Sequence, residues 1–136
     1  MSRRRGRELA MQMLFQEEQG VGSADEVEEL FWRCHHAGEE AAAFATLIFR
    51  AAIARREEID GMIRSATHRW KFERLASVDR SVLRTAVAEH LAAGTPAPVI
   101  IDEAVEIARK FGGEKSPEFV NGVLDRILTG EERSTV

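Results

Sequence analysis

Tyrosine is absent from this chain of 136 residues, cysteine occurs once, and proline only three times. No stretch approaches the roughly 20 consecutive apolar residues that a membrane span needs, so no membrane partner is expected. The lone Cys34 cannot form an internal disulfide, which fits a reducing compartment. The basic N-terminus leads into Arg7-Glu8-Leu9-Ala10-Met11-Gln12, an amphipathic pattern and not an apolar signal core, so a cytoplasmic protein is expected. Strand signals are nearly missing too, with no long alternating run and no Asn-Gly turn between β-branched stretches. What is present is 44% hydrophobic and 31% charged residues, enough to bury one sizeable core and too apolar for disorder.

The net charge of −4 does not advertise nucleic-acid binding, but it is unevenly spread. Residues 1–7 hold four arginines and no acid, whereas Glu8–Ala54 holds nine acids against two basic residues. From Arg55 to Arg84 the balance reverses, with eight basic residues against five acidic. A basic arm, residues 1–7, on an acidic body suits local capture of an anion. A solubilising tail has the same charge pattern.

Apolar periodicity predicts helices throughout. Leu9, Met13 and Leu14 mark the first, from Gly6 to about Gln19. Ser23 caps a second, with Val27, Leu30, Phe31 and Cys34 as its buried face and Gly38 closing it. One long helix is expected from Glu39 to Ser65, striped by Phe44, Leu47, Ile48, Ala51, Ile59, Met62 and Ile63. An irregular passage around Thr67–Leu75 carries Trp70 and Phe72, and a helix follows over Val78–Ala92. Thr95-Pro96-Ala97-Pro98 breaks the chain before Val99–Phe111. Gly112-Gly113 breaks it again before Ser116-Pro117 starts the last helix, which runs to about Leu128. The expectation is all-α: one domain over residues 1–136, a compact bundle of six or seven helices.

Catalytic and metal-binding patterns fail on spacing. Asp102, Glu103 and Glu106 cluster on one helix, but no histidine follows a glutamate by three, so a solvated acidic face is expected. Cys34-His35-His36 are adjacent in a helix and point about 100° apart, so they cannot converge on one ion. Gly112-Gly113-Glu114-Lys115-Ser116 lacks the spacing of a phosphate loop and no strand precedes it. Neither an enzyme nor a cofactor is expected.

Two features remain. Arg3, Arg4, Arg5 and Arg7 offer permanently charged forks that match phosphate geometry. The segment Phe119-Val120-Asn121-Gly122-Val123-Leu124-Asp125 places two poor helix formers inside a helix, and the glycine alone costs roughly 1 kcal/mol relative to alanine. That cost suggests a close approach of another backbone, a specific hydrogen bond or a ligand. Phe119 sits in the first turn, beside free N–H groups that favour anions, or else belongs to the core.

In order and spacing, Arg3–Ala10, Val78–Arg84, Pro96–Gly112 and Phe119–Asp125 resemble the NusB family of transcription antitermination factors. The resemblance spans nearly the whole chain. It implies two packed helical subdomains and binding to boxA RNA in leader transcripts. It also implies the partners NusE, a small-subunit ribosomal protein, and the transcription elongation complex, with either a monomer or a homodimer permitted. The family's arginine-rich motif falls on Arg3, Arg4, Arg5 and Arg7, and its RNA-side aromatic on Phe119. Asn121 shares that last segment. Lys115 stands where some relatives carry an acid, which favours phosphate binding. Phe15 stands where some carry tyrosine, which loses a hydroxyl. A related domain precedes the catalytic domain of some ribosomal RNA methyltransferases, but no cofactor-binding α/β half is found here. A helical scaffold that binds only protein is the competing expectation, and it leaves the arginines without a role.

Overall fold

A computed structural model describes residues 2–20, 22–67 and 72–130. Among these residues there are seven α-helices and no strand: α1 (Ser2–Glu18), α2 (Ala24–Cys34), α3 (Glu39–Ala54), α4 (Arg56–Ala66), α5 (Ser77–Ala93), α6 (Ala97–Phe111) and α7 (Ser116–Leu128). A short 3₁₀ turn, Phe72–Arg74, precedes α5 and buries Phe72. Trp70 lies outside the described residues. Among the described residues, no helix is long and apolar enough to cross a membrane.

The helices α1–α3 pack together, α4–α7 form a second group, and α5 joins the two by touching α1 and α3 as well as α4, α6 and α7. This central place explains why Ser81 through Glu89 is buried on every face of α5. Leu9, Leu14, Ile48, Phe49, Leu83, Ile100 and Leu124 fill the shared core, each at most 1% exposed. Some of the polar groups drawn in with α5 are matched, while Ser81 Oγ and His90 Nδ1 are buried with no partner among the described residues. Thr85 Oγ1 donates to Ser81 O at 2.7 Å, and Arg84 forks onto Asp60 at 2.9 and 3.0 Å.

Several expectations change. The long helix over Glu39–Ser65 is two helices, broken at Arg55 with φ −115° and ψ 29°. Ile48, Ala52, Ile59 and Ile63 keep helical spacing through the break, so periodicity gives no sign of it. The Arg55 side chain bridges the junction by forking onto Glu58 at 2.9 Å. Leu47, expected in the buried stripe, is 46% exposed, and so is Leu30 of α2. Cys34 is exposed as well, leaving Val27 and Phe31 as the buried face of α2. That helix ends at Cys34, and Gly38 instead begins α3.

The basic N-terminus differs most. Helix α1 begins at Ser2, so residues 2–7 are its first turns and not an arm ahead of the bundle. Gly6 lets those turns lie on α3, because a Cβ there would stand 3.0 Å from Ala41 O and 3.1 Å from the Phe44 ring. Gly122 behaves otherwise. A Cβ there would meet nothing within 4 Å, so among the described residues no backbone crosses α7 at that point.

Candidate nucleic-acid interface

The first two turns of α1 separate the four arginines by depth. Arg3, Arg4 and Arg5 are exposed, while Arg7 is 6% exposed. Arg7 lies flat against the body because residue 7 shares a face with the core residues Ala10, Met11 and Leu14. Its guanidinium forks onto Glu89 of α5 at 2.7 and 2.8 Å and reaches Glu103 of α6 at 3.4 Å. The hydrogen bond to Glu89 raises the Arg7 pKa, and that gain outweighs the cost of burial. Arg7 is therefore a structural ion-pair partner that fixes α1 to α5, and it presents no free fork to a ligand.

The other three stay at the surface. The Arg3 guanidinium lies over the Phe44 ring, 4.7 Å from its centroid, which orients it without neutralising its charge. Arg4 forks onto Glu103 at 3.0 and 2.8 Å, and Arg5 reaches Glu8 at 3.3 Å. Lys110, from the last turn of α6, joins this group by donating to both Glu8 oxygens at 3.1 and 3.2 Å. Hydrogen bonding from Arg4 holds the Glu103 carboxyl below the usual carboxylate range despite partial burial. Glu103 is thus an interior anchor, not part of a solvated acidic face. Glu106 does fit that reading, since it is exposed and pairs with Arg109.

Farther along α1, half-buried Phe15 lies eleven residues beyond Arg4 on nearly the same face, about 16 Å away at helical rise. At the C-terminal end, Glu18 receives Arg80 and Arg84, which outweigh its burial and lower its pKa. Arg80 also donates to the carbonyls of Phe72, Glu73 and Leu75. One guanidinium thereby joins α1 to the turn that borders a second cluster.

That cluster is an open hollow of about 560 Å³ lined by Arg74, Leu75, Ala76, Asp79, Gly113, Lys115, Ser116, Glu118 and Phe119. Phe119 is half-buried and packs in part against the core, with Lys115 exposed one turn before it. Asp79 Oδ1 is buried without a hydrogen-bond partner among the described residues. The loop that presents Lys115 is tightly drawn. Gly113 N–H donates to Ser116 Oγ at 2.9 Å, and a Cβ on Gly112 would stand 2.6 Å from that oxygen. Asn121 is exposed but two residues from Phe119, roughly on the opposite side of α7. It lines a different hollow, with Val105, Arg109, Pro117 and Glu118.

The structure thus brings Lys115 and Phe119 together, sets Arg3, Arg4 and Arg5 at the start of α1, and turns Asn121 into a neighbouring hollow that shares Gly113 and Glu118 with that of Phe119. Sequence reasoning missed Lys110, Arg74 and Asp79. No local motif marks them, because they reach these clusters only through tertiary packing. Among the described residues, no group of three or more His, Cys, Asp or Glu side chains could hold a metal ion.

The model of the NusB family matches residues 4–129. The chain belongs to the NusB family. The transcription antitermination protein NusB of Koribacter versatilis (strain Ellin345) is 48% identical over 128 residues, covering 93% of this chain and 88% of that one. Its counterpart in Geobacter sulfurreducens is 43% identical, covering 94% of each chain. Among solved structures, T. maritima NusB superposes with a TM-score of 0.83 at 33% identity, over 98% of this chain and 97% of that one. A NusB solved in complex with NusE and double-stranded RNA gives a TM-score of 0.83 at 27% identity, over 95% of this chain and 97% of that one. NusB-family membership accounts for the all-helical fold with α5 at its centre.

Proposed function

We propose that this chain is a transcription antitermination factor that binds boxA-type leader RNA together with NusE and acts on the transcription elongation complex. The observation that carries this reading is the presence of two complementary clusters, one at the start of α1 and one around Phe119 of α7. Exposed cations at the start of α1 suit a phosphate backbone, and the Phe119 hollow suits an unstacked base flanked by Lys115 and Arg74. A base stacked on one aromatic ring is worth about 1–3 kcal/mol and needs a single strand. The solved relative held with NusE and double-stranded RNA supports NusE and RNA as the classes of partner. A scaffold that binds only protein would leave both clusters unused.

The test is transcription through a terminator placed behind a boxA leader. Adding this chain and NusE is expected to raise readthrough on that template and not on one with a scrambled boxA. Equal readthrough on both templates would contradict the proposal. Gel filtration of the chain alone, run alongside, reads whether the active species is a monomer or a homodimer.

A further inference from the structure

Arg4, Arg5 and Lys110 are the cations best placed for a backbone, yet each is already held by a carboxylate. The pairs are lopsided, as Arg50 with Glu28 elsewhere in the molecule also is at 69% and 16%. Arg4, Arg5 and Lys110 side chains are 56%, 45% and 59% exposed, whereas Glu103 and Glu8 are 16% and 10% exposed. An ordinary surface pair in the same molecule, Arg33 with Glu29, has both partners about 70% exposed. Here the acid is anchored and the base is free to swing. Glu103 is fixed from beneath by buried Arg7, and Glu8 is packed between α1 and α6.

We propose that Glu103 and Glu8 are resident counter-anions of the RNA site, occupying the donors a phosphate would take and yielding them only by exchange. The proposal rests on the RNA-binding reading above. The Arg4 fork grips Glu103 through Nε and Nη2, the same two-point geometry it would offer phosphate. A phosphate that takes Arg4 therefore leaves Glu103 with one partner fewer, and binding is weaker than three free cations would give. Glu103 stays ionised at neutral pH, because Arg4 holds its carboxyl below the usual range. RNA anchored by a base in the Phe119 hollow keeps its backbone near the cations while exchange occurs. RNA without that anchor meets a cluster whose charge is mostly cancelled, so the two acids act against wrong partners.

The test uses the full chain with boxA-type RNA, titrated across salt concentrations. Glu103→Gln keeps the shape and an acceptor for Arg7 while removing the charge. It is expected to bind two- to fivefold more tightly at low salt, on the order of an exposed pair's worth. Its slope of log affinity against log salt should steepen by about 0.7, one further phosphate contact to a single strand. Adding Arg4→Ala to Glu103→Gln should cancel both gains, which a purely structural role for Glu103 would not produce. Glu8→Gln, which releases Lys110, gives an independent reading should the first variant fold poorly. Variants that bind no more tightly than wild type, with wild-type binding intact, overturn this inference alone. A wild-type chain that binds no RNA overturns it together with the proposed function.

Discussion

At the scale of single residues, Phe119 and Arg7 invert what their types suggest. The aromatic faces a hollow and the arginine faces the core. Phe119→Ala is expected to lower RNA affinity by about 1–3 kcal/mol, the worth of one stacked base. Because the ring is only half-buried, its stability cost should be about 1–2 kcal/mol, below that of a full core phenylalanine. Paired RNA titrations and thermal melts check both figures. A melting loss of core size with unchanged affinity would return Phe119 to the core. Arg7→Ala behaves in the opposite way. It strands Glu89, whose side chain is 1% exposed, and breaking such a pair costs about 3–5 kcal/mol. Chemical denaturation reads that loss directly. Four arginines within five positions look equivalent in the sequence, and only the packing of α1 on α5 tells Arg7 from its neighbours.

At the scale of elements, α1 is both a core helix and the platform for the exposed cations. Replacing Arg3 and Arg5 by alanine is expected to preserve helicity, since alanine is the better helix former. The salt slope of RNA binding should flatten by up to about 1.4, for two lost contacts at about 0.7 each. Circular dichroism and a salt series test this, and an unchanged slope would remove both residues from the backbone track. Helix α7 offers a second check. Gly122 faces open space, so Gly122→Ala should stabilise the isolated chain by about 0.5–1 kcal/mol. Weaker binding to NusE or RNA in that variant would show that a partner occupies the open face. Five of the seven helices were legible one by one, and α3 and α4 as a single run, from apolar spacing and from Gly-Pro punctuation, as at Gly112-Gly113 and Ser116-Pro117. The break at Arg55 was not, because Ala52 and Ile59 stay in phase across it. The start of α1 was not either, since arginines ahead of Leu9 carry no apolar signal.

At the scale of the whole molecule, two ion networks tie the helices together: Arg4–Glu103–Arg7–Glu89 and Arg80–Glu18–Arg84–Asp60. Glu103 and Glu18 both have folded pKa values below the ordinary carboxylate value of 4.5. Their contribution is therefore complete above that pH and lost as pH falls through the lower folded values. The melting temperature should drop with acidification below about pH 4.5, and less steeply in Glu103→Gln. The outer ends of these networks were legible as charge blocks, but their partners lie up to 99 residues apart and only the fold pairs them. The acidic body that results should repel RNA in general, while the α1 cations and the Phe119 hollow favour one kind. The most direct test is therefore selectivity. Single-stranded boxA RNA and a scrambled RNA of equal length are titrated against the chain, with and without NusE. Tighter binding to boxA, with the preference widened by NusE, is the predicted result. Equal affinity for the two RNAs in the presence of NusE would contradict the account.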